Sequence, residues 1–130
     1  METLFIEAGK YTPEVILNPD AETFSFSGKS FPVNPLPFYE PIIEWFEHFL
    51  TKEKITKEIV VKFEFDYINT ASSKQIAMLL TIMESSPANQ NIKIEWHYDP
   101  QDSDILETGL RFSEPVKLNF KFVTIESRPR

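Results

Sequence analysis

The chain has 130 residues, 42% of them hydrophobic with 12 Phe and 2 Trp, which is core material for one domain spanning residues 1–130 and not the composition of a disordered chain. It contains no cysteine, which excludes disulfides and thiolate metal sites and agrees with a reducing cytosol. The net charge of −7, with basic residues scattered among more numerous acids, argues against nucleic acid as a partner, and no apolar run approaches the ~20 residues of a membrane span.

The opening Met1–Glu7 has neither the basic region nor the apolar core of a signal peptide, so a cytoplasmic location is expected. Three short strands are predicted first, near Leu4–Glu7, Glu14–Asn18 and Thr23–Ser27, with Asn18-Pro19-Asp20 as the turn between the last two. A first helix is predicted to begin near Pro41, a residue suited to the first helical position, and to bury Ile42, Trp45, Phe46 and Phe49. In the fourth strand Val61, Phe63, Phe65 and Tyr67 alternate with Lys62, Glu64 and Asp66. A second helix carries Ile76, Leu79, Leu80 and Met83 on one stripe. The fifth strand alternates Ile92, Ile94, Trp96 and Tyr98 with Lys93, Glu95 and His97. A third helix over Ser103–Ser113 turns Ile105, Leu106, Gly109 and Phe112 inward, and a sixth strand sets Leu118, Phe120 and Phe122 opposite Asn119 and Lys121.

Parallel strands covered on both faces read as continuous apolar runs, whereas the last three strands alternate. One sheet face should therefore carry all three helices, and right-handed crossovers allow that only if the strands are laid down in one direction. The expected fold class is α/β, a two-layer open sandwich with a mixed sheet of about five to six strands and three helices on one face.

Little in the chain supports catalysis. The three glycines form no phosphate-cradling pattern. His48 and His97 are not clustered with carboxylates at metal-ligand spacing, and neither lies by a nucleophile motif, so no metal and no cofactor are expected. Asp99, Asp102 and Asp104 lack the glycine and later glutamate of a calcium loop and suit turn formation and capping of the third helix. The face bearing Lys62, Glu64, Asp66, Lys93, Glu95, His97 and Lys121 is either solvated or a partner surface.

The segment Tyr67–Lys74 links the clearest strand to the second helix. Ser72-Ser73-Lys74-Gln75 fits a capping box with Ser72 as N-cap, leaving Thr70 two residues earlier on an exposed turn beside Asn69. A phosphate there would add a charge of about −1.5 to −2 near free backbone N–H groups, with Lys74 in reach. On chemistry alone Thr70 reads as a plain turn residue, in a place suited to a phosphate.

The chain resembles the SiaC family of bacterial regulatory phosphoproteins. The likeness runs through Thr12-Pro13-Glu14-Val15, the run Phe24–Pro32, Asn34, Phe38-Tyr39, Pro41, Trp45, the run Phe63–Lys74, Asp104-Ile105 and Glu107-Thr108-Gly109. The resemblance implies a fold like the STAS domains of anti-sigma factor antagonists and a non-enzymatic role in partner switching. It implies three partners: a serine/threonine kinase with a histidine-kinase-like ATPase domain, a metal-dependent serine/threonine phosphatase, and a downstream effector that in the founding case is a diguanylate cyclase. The family's phosphothreonine falls on Thr70, with Asn69, Ser72, Ser73 and Lys74 around it, and Lys29, Phe38 and Tyr39 are expected on a partner surface. Lys29 stands where the family usually has Arg, and Val33 where it usually has Glu, which bears on partner contacts. The competing expectations are a constitutive interaction domain, for which Thr70→Ala and Thr70→Asp would bind alike, and a small-ligand protein with a pocket near Phe38 and Tyr39.

Overall fold

The computed structural model describes residues 1–126. In chain order the elements are β1 (Leu4–Ile6), β2 (Glu14–Asn18), β3 (Thr23–Ser30), α1 (Leu36–Lys52), β4 (Ile59–Ile68), α2 (Thr70–Glu84), a single 3-10 turn, β5 (Ile92–Tyr98), α3 (Ser103–Ser113) and β6 (Asn119–Thr124). They form one sheet in the order β1-β2-β3-β4-β5-β6. β1, β2 and β3 are joined antiparallel, and β3 to β6 run parallel.

Alternation in the sequence becomes two unlike faces. Val15 and Leu17, Phe24 and Phe26, Val61, Phe63 and Phe65, and Ile92, Ile94 and Trp96 are all buried, while the residues between them are not. The three parallel crossovers advance in one direction, so their helices cover that same inner face. Ile42 and Phe46 of α1, Ile76, Leu79 and Met83 of α2, and Ile105 of α3 close the core against it. Aromatic rings fill the middle. Phe63 stacks on Phe26 at 4.9 Å and on Phe65 at 6.0 Å, and tilts against Trp96. The mixed sheet with three helices on one face is the expected architecture, and six strands are present among the described residues.

Three local expectations need correction. First, α1 begins at Leu36 and not near Pro41. Pro37 sits in the first turn, where its missing N–H costs nothing, and Phe38 and Tyr39 donate to the Pro35 carbonyl at 3.2 and 2.9 Å. Pro41 lies inside the helix, and the bond it cannot make would go to the Pro37 carbonyl. Second, β3 runs on to Ser30, three residues past the expected end. Third, Tyr67 does not continue the inner row of β4. The β3–β4 register steps between Gly28 and Lys29, so that Gly28 faces Phe65 and Lys29 faces Tyr67, with Asp66 as the extra residue of a bulge. Gly28 has φ +108°, a conformation that L side chains rarely adopt. The bulge rotates the strand by one position, and Tyr67 is 52% exposed on the side opposite the helices.

Candidate functional site

The junction of β4 and α2 is fastened by one residue. Asn69 is extended at φ −83°, ψ 171°, and its Oδ1 accepts the Ser72 N–H at 2.9 Å. Its carbonyl accepts the Ser73 N–H at 2.9 Å. Its own N–H donates to the Ser30 carbonyl at 2.9 Å and its Nδ2 to the Pro32 carbonyl at 3.4 Å. Asn69 is thus the N-cap of α2 and also ties that end to the end of β3.

This overturns the capping box. Ser72 is the third residue of the helix, not its cap, and it is fully buried. Its hydroxyl turns inward to accept from Ser30 Oγ at 2.8 Å, and Ser30 Oγ pairs with Tyr39 OH at 2.6 Å. Since the single Ser30 proton goes to Ser72, Tyr39 is the donor to Ser30. Gln75 is buried on the inner side of α2 and does not reach back to the cap. Asn leads the N-cap ranking, so Asn69 at the strand's end was a readable signal that the serine pair obscured.

Thr70 occupies the first helical position and is exposed. Lys74 is exposed one turn along the same helix face, and Ser73 is half-buried. The structure brings Asn69, Thr70, Ser72, Ser73 and Lys74 together at the carboxyl end of β4. Lys29 is exposed on the neighbouring strand. Phe38 is half-buried and packs edge-on against the Tyr39 ring at 4.9 Å. Tyr39 is completely buried, so it cannot serve as partner surface. The helical stripe of α1 points it into the core because the helix starts more than a turn earlier than Pro41 suggests.

Burial pushes the Tyr39 hydroxyl up from its ordinary value to about 12, opposed in part by its hydrogen bonds with Ser30 and Ser72. An unfolded tyrosine ionises at about 10. The folded-state value is the higher one, so the stability this group contributes is complete below pH of about 10 and is lost as pH rises through the folded value. A phenolate absorbance titration should show a late-ionising tyrosine, and Tyr39→Phe should remove that late step. An unchanged curve in the variant would contradict the assignment.

Elsewhere the site chemistry is plain. His97 Nε2 lies 2.9 Å from Glu95 Oε1 on the open sheet face, and this contact holds the Glu95 carboxyl below its ordinary range. Asp102 accepts the Ile105 N–H at 3.1 Å and caps α3. Among the described residues no group of three or more His, Cys, Asp or Glu is placed to hold a metal ion. No helix among them is long and apolar enough to cross a membrane. A cavity of about 360 Å³ floored by Phe24 and Phe49 opens at the amino end of β4, away from Phe38 and Tyr39.

The chain is similar over nearly its whole length to known proteins. The family model described as "SiaC family regulatory phosphoprotein" matches residues 6–125. Uncharacterized protein PA14_02130 of Pseudomonas aeruginosa (strain UCBPP-PA14) is 26% identical over 121 residues, which cover 92% of this chain and 94% of that protein. Two solved structures of SiaC from Pseudomonas aeruginosa, one of them apo, are 25% identical with TM-scores of 0.84 and 0.85. The alignments cover 95% and 96% of this chain and 99% and 100% of theirs. The same fold recurs, at 24% identity and a TM-score of 0.84, in the crystal structure of the diguanylate cyclase SiaD in complex with its activator SiaC. That match covers 94% of this chain and 99% of the other.

Proposed function

The chain belongs to the SiaC family of regulatory phosphoproteins, and from that premise we propose that it is a single-domain, non-enzymatic, cytoplasmic switch protein, reversibly phosphorylated on Thr70. The observation that carries the reading is the Thr70 hydroxyl, exposed at the first position of a helix whose end is fixed by the Asn69 cap. A kinase with a histidine-kinase-like ATPase domain adds the phosphate, and a metal-dependent phosphatase removes it. The unphosphorylated form engages a downstream effector. A diguanylate cyclase is the effector class we favour, because SiaC of Pseudomonas aeruginosa is described as an activator of one.

The mechanism is electrostatic. The phosphate brings about −1.5 to −2 charge to the end of α2 where backbone N–H groups attract anions. Lys74, one turn on, adds a counter-charge. The modified state therefore keeps its fold while the surface an effector meets changes sign locally. Incubation with the cognate kinase and ATP, followed by mass spectrometric mapping, should place one phosphate on Thr70. Thr70→Ala should take up none and melt within about 0.5 kcal/mol of the parent protein, as exposed substitutions do. Phosphate found on other residues with Thr70 bare would defeat the reading. Ser72 is excluded as an acceptor in the folded protein by its complete burial.

A further inference from the structure

β6 closes one end of the strand order, and among the described residues nothing pairs with its far side. One bond fixes which way its backbone groups point. The Ile125 N–H donates to the Tyr98 carbonyl of β5 at 2.9 Å. Backbone groups turn to alternate sides along a strand, so those of Asn119, Lys121 and Val123 also face β5. Phe120, Phe122 and Thr124 therefore hold their N–H and C=O groups outward along the free edge.

Sheet edges are ordinarily guarded by shortness, proline, a bulge or a charge. The opposite edge follows that rule, because β1 has only 3 residues. β6 has 6 residues without proline or glycine, and all of them stay in step with β5, so no bulge interrupts the edge. Its one charge, Lys121, lies on the open sheet face level with Glu95 of its own chain. The inner face is also unfinished here. α3 packs over β4 and β5 and sets Phe112 edge-on to Trp96 at 5.6 Å. Beyond it Phe120 and Phe122 stay half-buried, their rings stacked at 6.1 Å. A free backbone ladder thus runs beside two aromatic rings with incomplete cover.

We propose that β6 is a self-association edge: two copies of this chain pair β6 to β6, antiparallel about a two-fold axis at Phe122, and join their sheets into one. Paired residues must share a sheet face, and the hydrogen-bonded pairs must come from the outward-pointing set. Three axis positions meet both conditions. An axis at Lys121 sets two like charges directly opposite, which is destabilising. An axis at Phe120 draws in Val116 and Leu118, which precede the strand in a segment held by the bond from the Lys117 N–H to the Glu84 carboxylate. An axis at Phe122 keeps the pairing within β6. Phe122 then meets its own copy, and Phe120 meets the second copy's Thr124, each pair exchanging its outward N–H and C=O groups. Lys121 falls opposite Val123, away from its own copy. Glu126 comes level with the second copy's Leu118, one residue from Lys117, so opposite charges approach. These complementarities belong to the chain's own sequence, and they commit the edge to a second copy.

The test is sedimentation equilibrium of the full chain from about 10 µM to about 1 mM, a span in which interfaces of small area dissociate. The mass should rise from one chain toward two. Thr124→Pro removes an outward N–H and leaves the ladder with β5 intact. Phe122→Lys sets like charges on the axis. Each should raise the dissociation constant by about tenfold or more. Thr124 is exposed, so its variant keeps the test valid if melting curves show Phe122→Lys to be unfolded. Hydrogen exchange reads the edge directly. The Phe120, Phe122 and Thr124 amides should slow by about tenfold or more between the dilute and the concentrated protein, with Lys121 and Val123 protected in both. The chain has no cysteine, so Phe122→Cys can be joined by a short bis-maleimide, and it should give linked pairs faster than Lys54→Cys in the exposed α1–β4 loop. A chain that keeps the mass of one copy up to about 1 mM overturns the proposal. So does a dimer that Thr124→Pro leaves intact, because the contact then lies elsewhere. Outward amides that slow only when a diguanylate cyclase is added overturn it too, since the edge would then take a foreign strand.

Discussion

Ser30→Ala is expected to cost about 1–3 kcal/mol of folding stability, although it removes one oxygen atom. The reason is what it strands. Ser30 is fully buried and its hydroxyl serves both Tyr39, 2.6 Å away, and Ser72, 2.8 Å away. A buried polar group that loses its partner costs about 1–3 kcal/mol, and here Tyr39 and Ser72 each lose a bond at once and keep only their bond to one another. The three residues come from β3, α1 and α2, so the strain is shared by the elements that meet under Thr70. Urea unfolding monitored by circular dichroism measures the loss. Pairing the change with Tyr39→Phe should give a combined cost well below the sum, because the phenol no longer needs an acceptor. A Ser30→Ala cost under about 1 kcal/mol, or strict additivity with Tyr39→Phe, would show that the hydroxyls find other partners.

Gly109→Ala is the second large effect, and its sign opposes helix propensity. In an exposed helix interior alanine gains about 1 kcal/mol over glycine. At this position the added Cβ would lie 2.5 Å from both Cδ1 and Nε1 of Trp96. The indole cannot retreat easily. It is buried against Phe63, Phe65 and Phe112, and its Nε1 donates to the Ile105 carbonyl of the same helix at 2.9 Å. Relief requires α3 to lift from the sheet, which breaks that bond and opens the Trp96 side of the core. Overpacking of this kind costs about 1–3 kcal/mol, occasionally more, and the loss of the indole bond adds to it, so a net destabilisation of about 2–3 kcal/mol is expected. Thermal unfolding gives the magnitude, and a red shift of tryptophan emission would report the lifted helix. A variant more stable than the parent would mean that α3 accommodates the methyl group without moving.

The two variants also mark the boundary of what could be read in the sequence. β5 and α3 were legible to the residue, because one alternates cleanly from Ile92 to Tyr98 and the other opens at a capping aspartate. The one-sided sheet followed from the same alternation. Gly109 was readable as inward-facing, but its closeness to Trp96 was not. The bulge was hidden for a related reason. Alternation assumes a constant period of two, whereas the step at Asp66 depends on Gly28, which lies in a different strand. Tyr67 was therefore assigned to the wrong face, and Lys29 is exposed on a strand expected to end at Ser27. Local rules took Ser72 as the cap of α2, whereas Asn69 caps it and Ser72 turns inward to Ser30, which also holds Tyr39, residues distant in sequence and adjacent only once folded. Thr70 was visible through family resemblance more than through physics, since an exposed threonine at a helix start is unremarkable by itself.

The strand order has a temporal side. Each strand pairs only with its neighbours in sequence, from β1 across to β6. A sheet of this kind can grow by accretion, each arriving strand meeting an edge that is already formed, and no late segment has to be threaded between two earlier ones. Ser30, Tyr39, Asn69 and Ser72 all lie before the end of α2 at Glu84. Every hydrogen-bonding member of the Thr70 platform is therefore synthesised before β5, and β5, α3 and β6 extend a sheet whose edge at that stage is β4, the strand that ends at this junction.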